Sequence, residues 1–468
     1  MVLKVYNTLT KRIEEFIPLN DKNVNMFVCG QTVYDDAHLG HAKTYVQFDI
    51  IVRWLRYLGY EVVYVQNITD VDDKIIIRAR ERNTTPKELS EFYIKRFFED
   101  MEKLKVKQNI NKLPRSMDFI PQIIEQVQEL IKKGYAYVVD GNVYFDVKKF
   151  KDYTKLSGMS LEELKKHRIE PDERKKNPYD FSLWKKAKAG EISWDSPWGK
   201  GRPGWHIEDT AMTVSIFGAQ YDLHGGANEL IFPHHTNEIA QAESATGKKP
   251  LVKYWLHSGV LNIKGSKMSK SLGNFITIRD ALKNYDPEEL RLLYASTHYR
   301  GPIDYEDSML DQAREKLNSL YNTLENVEHR SEEKGIDSEE REFLKIMEDI
   351  RKKFEYAMND DFNTSLALTH LSELSKETNK LIDSKGSISK KLATQIITTF
   401  KSLGNVFGIL EKKIEKKIPK EVEDLIFQRE RARKIGDFKL SDKIRNEIRK
   451  KGYIIEDTPT GPRVRKLV

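Results

Sequence analysis

The chain has 468 residues, of which 39% are hydrophobic, 32% charged and 10% aromatic. At roughly 100–200 residues per domain that length predicts about three domains, and the composition excludes a disordered or collagen-like chain. The sequence has no apolar run of 18 residues, which argues against a membrane-spanning helix, and the opening MVLKVYNTLTKRIEEF lacks the apolar stretch of a secretory signal. A single cysteine, Cys29, excludes a disulfide within the chain and leads us to expect a reducing, cytoplasmic compartment. The 79 basic residues barely exceed the 72 acidic ones, but their placement is uneven: residues 411–468 hold 18 Lys and Arg against 11 Asp and Glu. A basic terminal segment on a neutral body suggests a polyanion partner, most plausibly nucleic acid, although a solvated basic surface would have the same composition.

In chain order, Asn25–Cys29 reads as a short apolar strand, Ala42–Tyr57 as an amphipathic helix ended by Gly59, and Glu61–Gln66 as a second buried strand. A strand, a helix and a strand this close together form a βαβ unit, which implies a parallel sheet. Lys74–Leu104 is predicted to be largely helical. The stretch from about 109 to 202 differs. Gly141–Val147 alternates like a strand, Arg168–Ala189 is polar and carries Pro171 and Pro178, and Trp194–Pro203 is rich in Gly and Pro and reads as a loop. This stretch is expected to interrupt the parallel sheet as an insertion. Sheet-like sequence resumes at Tyr221–His224 and Leu256–Ile263. From Met309 to Leu410 long charged amphipathic runs predict a helical bundle, with Ser384–Ser389 as its clearest turn. A charged linker, Glu411–Lys420, leads to helices at Val422–Ile435 and Leu440–Lys451, then Tyr453–Glu456 and a turn at Thr458–Pro462.

Two motifs point to nucleotide chemistry. His38-Leu39-Gly40-His41 stands after the first strand, at a predicted helix start. Unpaired N–H groups and the positive dipole end suit a phosphate there. Gly40 permits close approach of a base or ribose, and two histidines three apart share a face and can donate to phosphate oxygens. Lys267-Met268-Ser269-Lys270-Ser271 lies between Gly265 and Gly273. Such a loop can close over a triphosphate and neutralise charge developing at the α-phosphate. It does not match the P-loop pattern. Together, and in this order on a βαβ scaffold, the motifs resemble the HIGH and KMSKS signatures of class I aminoacyl-tRNA synthetases.

A third constellation narrows the resemblance. Cys29 ends the first strand; GRPGWHIED spans 201–209; His224-Gly225-Gly226 follows; and Phe232-Pro233-His234-His235-Thr236-Asn237-Glu238 comes next. Pro233 suits a first helical turn, and His234 and Glu238, four apart, share a helical face as two metal ligands would. An isolated pair of this kind is more often a surface ion pair. With FVCGQTVYD, GRPGWHIE, FPHHTNEIAQ and the lysine loop beside it, the chain resembles cysteinyl-tRNA synthetases nearly end to end.

That resemblance implies an α/β fold: a Rossmann-like parallel-sheet catalytic domain over 1–308 with an insertion at about 109–202, a tRNA-binding helical bundle over 309–410, and a small basic C-terminal anticodon-binding module over 411–468. It implies ATP, L-cysteine and tRNA(Cys) as partners, no membrane, and a monomer. His38, His41, Lys267 and Lys270 are the expected catalytic residues. Gly40, His38, His41 and Lys270 are expected at ATP, with Mg²⁺ accompanying it. Thr69, Trp205 and His224 are expected at the amino acid. The family's zinc ion would fall on Cys29, Asp209, His234 and Glu238. Position 209 departs from the family, which has cysteine there: charge is kept, but one soft sulfur becomes a hard oxygen. Zinc, another divalent metal or an empty site all remain open. Gln31, Ala227 and Thr236 are smaller departures, from a common proline, glycine and glutamate. Related enzymes that join cysteine to a small amino sugar lack the C-terminal part that this chain has, and a non-catalytic RNA-binding relative would not be expected to keep both histidines and both lysines.

Overall fold

The computed structural model describes residues 2–164, 172–268, 274–412, 419–458 and 461–466. The chain divides into two compact units: Met1–Ala313 with Glu355–Ala367 and Val406–Gly408, and Arg314–Phe354 with Leu368–Asn405 and Ile409–Val468.

The first unit is organised by a four-stranded, wholly parallel sheet. Its strands are β1 (Asn23–Thr32), β2 (Glu61–Thr69), β3 (Tyr221–Ala227) and β4 (Val252–Ser258), in spatial order β4-β3-β1-β2. Helix α1 (Leu39–Tyr57) joins β1 to β2 as a βαβ crossover; expected to be amphipathic, it is buried on all sides from Ala42 to Leu55, as a helix covered by other elements is. Lys74–Leu104, expected to be largely helical, holds two helices, Asp73–Glu81 and Pro86–Lys103. The break at 82–85 comes from Thr85, whose side chain accepts from Glu88 N while Glu88 accepts from the Thr85 backbone, with Pro86 at the first helical position. These are strong start signals.

The insertion is an antiparallel sheet of Ala136–Val139, Asn142–Phe145, Phe181–Lys186 and Gly201–Pro203. Three of its strands, Ala136–Val139, Phe181–Lys186 and Gly201–Pro203, escape the sequence reading. Phe181–Lys186 is embedded in lysine-rich polar text, yet Phe181, Leu183 and Trp184 point inward. Gly201–Pro203, read as loop, forms an edge strand, where proline's missing donor does no harm. Phe27, Val65, Val127, Val143, Phe145, Leu183, Trp184 and Trp255 lie in one buried cluster, so the insertion and the parallel sheet share a core.

In the second unit and its borders the helices are Asp307–His329, Ser338–Asn359, Thr364–Lys385 and Lys390–Phe407. Ser384 and Lys385 belong to the third of these, and Ile388–Ser389 is a short strand paired with Ser331–Glu332, so the expected turn shrinks to 386–387. The terminal module has its own small core of Val422, Leu425, Ile444, Ile448 and Ile455, formed by helices Lys420–Lys434 and Phe438–Lys450 and the hairpin Tyr453–Thr458 with Gly461–Lys466. No helix among the described residues is long and apolar enough to cross a membrane.

Candidate active site and metal centre

The C-terminal ends of the parallel strands carry the candidate site, as open α/β sheets favour. Between β1 and β2 the register slips: Val28 pairs with Gln66 and Gln31 with Ile68, so Cys29 and Gly30 together face Asn67. This is a bulge, a device that re-aims side chains. Gly30 is required, because a Cβ there would sit 1.7 Å from Asn67 O. Gly30 N donates to Asn67 Oδ1 at 2.6 Å, and Asn67 Nδ2 donates to Asp209 Oδ1 at 2.6 Å. The bulge thus ties the strand that carries Cys29 to α2 (Ile207–Phe217), which carries Asp209.

Cys29, Asp209, His234 and Glu238 come together in the interior, at 6%, 1%, 2% and 0% exposure. Cys29 Sγ lies 3.4 Å from Asp209 Oδ2. His234 Nε2 lies 3.0 Å from that same oxygen and 3.1 Å from Glu238 Oε1. His234 belongs to a wide turn at Ile231–His235, directly before α3 (Thr236–Thr246), which carries Glu238. His224, expected at the amino acid, is fully buried in this cage: its Nε2 is 3.4 Å from Cys29 Sγ. Two residues not singled out from sequence join it. His235 Nε2 is 3.1 Å from Cys29 Sγ, and His206 Nδ1 is 2.8 Å from His234 Nδ1. The only signal for them was their adjacency to His234 and Trp205. Trp205 is half-buried and stacks on His234, ring centroids 4.4 Å apart.

The electrostatics call for a cation. Burial, then the carboxylates of Glu238 and Asp209, push the Cys29 thiol well above its usual range, and burial followed by Asp209 does the same to Glu238. Neither oxygen of Glu238 accepts a well-aligned hydrogen bond among the described residues. Burial holds His206, His224 and His235 well below the ordinary imidazole value, so they are neutral and able to ligate. Thiol, neutral imidazole and orphaned carboxylate are the donor set that zinc takes, and the residues present fit such an ion.

The helix-start motif is built differently from the sequence expectation. His38 caps α1: its Nδ1 accepts from Gly40 N at 3.0 Å, while His41 Nδ1 accepts from His38 N at 3.3 Å. The two rings stack at 3.9 Å. Since both Nδ1 atoms accept from the backbone, a neutral ring carries its proton on Nε2. Burial, then the charges of His38 and Lys74, hold His41 well below the usual imidazole value. A Cβ at Gly40 would lie 2.9 Å from the His38 ring.

The flanks of the two nucleotide motifs are stitched together. Leu39 N donates to Ile276 O at 3.1 Å and Ile278 N to Ala37 O at 2.9 Å. A cleft of about 320 Å³ is lined by Gln31, Tyr34, Asp35, Asp36, His38, His41, Met268 and Phe275. Lys267 ends a short strand, Ser266–Lys267, paired with Leu261–Ile263, and Lys270 lies outside the described residues. Thr69 ends β2 beside Thr32 and is buried. Gln31 donates to Asp35 O at 2.8 Å, inside the turn that a proline would otherwise stiffen.

A family model described as "tRNA synthetases class I (C) catalytic domain" matches residues 15–315, and a DALR domain model matches 353–411. A cysteine–tRNA ligase of Thermococcus onnurineus (strain NA1) is 49% identical over 470 residues, and that of Thermococcus gammatolerans is 48% identical, each match covering 98% of both chains. Among solved structures, the methionyl-tRNA synthetase of Mycobacterium tuberculosis in complex with methionyl-adenylate superposes with a TM-score of 0.60 over 82% of this chain and 89% of that one, at 16% identity. A putative arginyl-tRNA synthetase from Campylobacter jejuni gives 0.54 at 12% identity, over 85% of this chain and 95% of that one. At those identities the structural matches speak for the fold, and the sequence matches for the family: the chain belongs to the cysteine–tRNA ligases, class I aminoacyl-tRNA synthetases.

Proposed function

We propose that the chain activates L-cysteine with ATP as cysteinyl-adenylate and transfers the acyl group to tRNA(Cys), selecting cysteine at a zinc ion held in the cage around Cys29 and Glu238. The observation that carries the proposal is the pairing of that cage with the His38–His41 cleft at the ends of the same parallel strands.

In the first step the cysteine carboxylate attacks the α-phosphate in line and pyrophosphate leaves. No protein nucleophile is required, so orientation and charge neutralisation supply the catalysis. Nε2 of His38 and His41 would donate to phosphate oxygens, since their Nδ1 atoms are committed to the backbone. Lys267 and Lys270 would neutralise the triphosphate, with Mg²⁺ accompanying the nucleotide. Thr69 is proposed to contact the substrate amine, and Trp205, stacked against His234, to wall the side-chain pocket. The resemblance assigns Asp209 and His234, beside Cys29 and Glu238, to the ion. A zinc ion there would bind a thiolate far better than a hydroxyl, a distinction that shape alone holds to about 1–3 kcal/mol. The helical bundle (309–410) and the basic module (411–468) are proposed to bind tRNA, the latter at the anticodon.

Cysteine-dependent ATP–pyrophosphate exchange, measured on protein of known zinc content, tests the proposal. About one zinc per chain is expected, with exchange lost on chelation, restored by zinc, and far weaker with serine. Exchange that proceeds equally without metal, or equally with serine, would contradict zinc selection.

A further inference from the structure

The cage holds more donors than a tetrahedral ion uses. They fall into two overlapping sets: Cys29, Asp209, His234 and Glu238, and Cys29, His224, His235 and Glu238. In each set the donor atoms lie within 4.8 Å of one another. The thiol and the glutamate are common to both, so the contest is between the Asp209–His234 pair and the His224–His235 pair.

The pairs differ in what already satisfies them. Asp209 is served without an ion: Asn67 donates to Oδ1 at 2.6 Å, and Oδ2 has His234 Nε2 at 3.0 Å. An ionised carboxylate only accepts, so within this pair His234 carries its proton on Nε2 and turns no lone pair to the cage. Its Nδ1 then accepts from His206 Nδ1 at 2.8 Å, which completes a consistent chain. The other pair is arranged the opposite way. His235 Nδ1 is 2.8 Å from His257 Nε2, and His257 Nδ1 is 2.8 Å from Thr8 Oγ1. His224 Nδ1 is 2.6 Å from Tyr221 Oη. Both chains let Nδ1–H donate outward and leave the Nε2 lone pair toward Cys29, at 3.1 Å for His235 and 3.4 Å for His224. Such outer partners are what fix the tautomer of a ligating imidazole.

Glu238 completes the set, with Oε2 3.7 Å from His224 Nε2 and Oε1 4.0 Å from His235 Nε2. Bond lengths of about 2.0–2.3 Å give tetrahedral edges of roughly 3.3–3.6 Å, so an ion would draw these atoms in by a few tenths of an ångström. The chemistry also separates the sets. With aspartate at 209 the first keeps three negative charges but has lost a soft donor. The second offers one sulfur, two imidazoles and one carboxylate, with a borderline imidazole where the first has the hard aspartate oxygen.

We propose that the ion in this chain rests on Cys29, His224, His235 and Glu238, with Asp209 and His234 held beside it as a hydrogen-bonded pair. This depends on the cage being the zinc centre, and the test separates the two claims. X-ray absorption at the zinc edge of the full-length, zinc-loaded protein should show one sulfur, two imidazoles and one oxygen. One imidazole with two oxygens would overturn the assignment and leave the zinc centre standing, whereas protein that takes up no zinc would overturn both. In competition with a chromophoric chelator, His224→Gln and His235→Gln should weaken zinc binding more than His234→Gln does, and the reverse order would overturn the proposal. Tyr221→Phe guards against misfolding of buried histidine variants, because it removes only the hydroxyl that orients His224. It should weaken zinc binding by about tenfold, and unchanged affinity would count against the His224 seat.

Discussion

At the start of α1 a single imidazole serves both the fold and the proposed chemistry. His38 Nδ1 closes the helix N-terminus by accepting from Gly40 N, and that bond is what places its proton on Nε2. The two roles can be separated by substitution. His38→Ala should remove both, costing about 1 kcal/mol of stability as a lost cap and slowing cysteine-dependent pyrophosphate exchange by roughly 10²–10³-fold as a lost donor to developing charge. Asparagine is a good capping residue without the Nε2–H, so His38→Asn should recover the denaturation midpoint but not the exchange rate. Recovery of both together would show that the cap alone matters. The sequence makes the histidines legible through their spacing. It does not reveal that Gly40 answers to the His38 ring, because that depends on the rotamer the cap imposes.

Among elements, the β1–β2 pairing positions Cys29 for the proposed metal centre. The bulge at Cys29 and Gly30 lets Asn67 reach both the Gly30 amide and Asp209. Gly30→Ala would drive a Cβ to 1.7 Å from Asn67 O, backbone against backbone, so the strands must separate. Overpacking of this kind costs roughly 1–3 kcal/mol. The sharper consequence is that Cys29 and Asp209 lose their common anchor. The variant is therefore expected to lose more than about tenfold in zinc affinity, measured beside the denaturation midpoint. Unaltered affinity in a folded variant would show that the bulge does not position the cage. Strands β1 and β2 are legible as apolar runs beside a helical one; the bulge between them is not, since register belongs to the pair. Phe181–Lys186 is hidden for the opposite reason: its buried face is only Phe181, Leu183 and Trp184 within lysine-rich text. His235 stays anonymous in sequence because its partners Cys29 and His257 come from other strands.

For the whole molecule, the uneven charge is the feature that sequence exposes best and interprets least. Residues 411–468 carry 18 basic and 11 acidic residues, but the arginines do not all serve a partner. Arg429 is 1% exposed and grips Asp457 through both terminal nitrogens, at 2.8 and 2.9 Å, and Arg433 reaches the same carboxylate at 3.0 Å. These two hold the hairpin to its helix. Arg431 and Lys434 are exposed and remain candidates for phosphate. Because the module has a core of its own, ending the chain after Lys412 removes that core as a whole. Cysteine-dependent exchange should then persist, while affinity for tRNA falls by about tenfold or more, equivalent to 1.4 kcal/mol. The salt dependence should flatten too, since each phosphate that the protein no longer neutralises lowers the slope of log affinity against log salt by about 0.7–0.9. Weaker binding with an unchanged slope would mean that the module acts through shape and stacking, and that its surplus charge only keeps it solvated. Loss of exchange in a folded truncation would show that the terminal module supports the adenylation step itself.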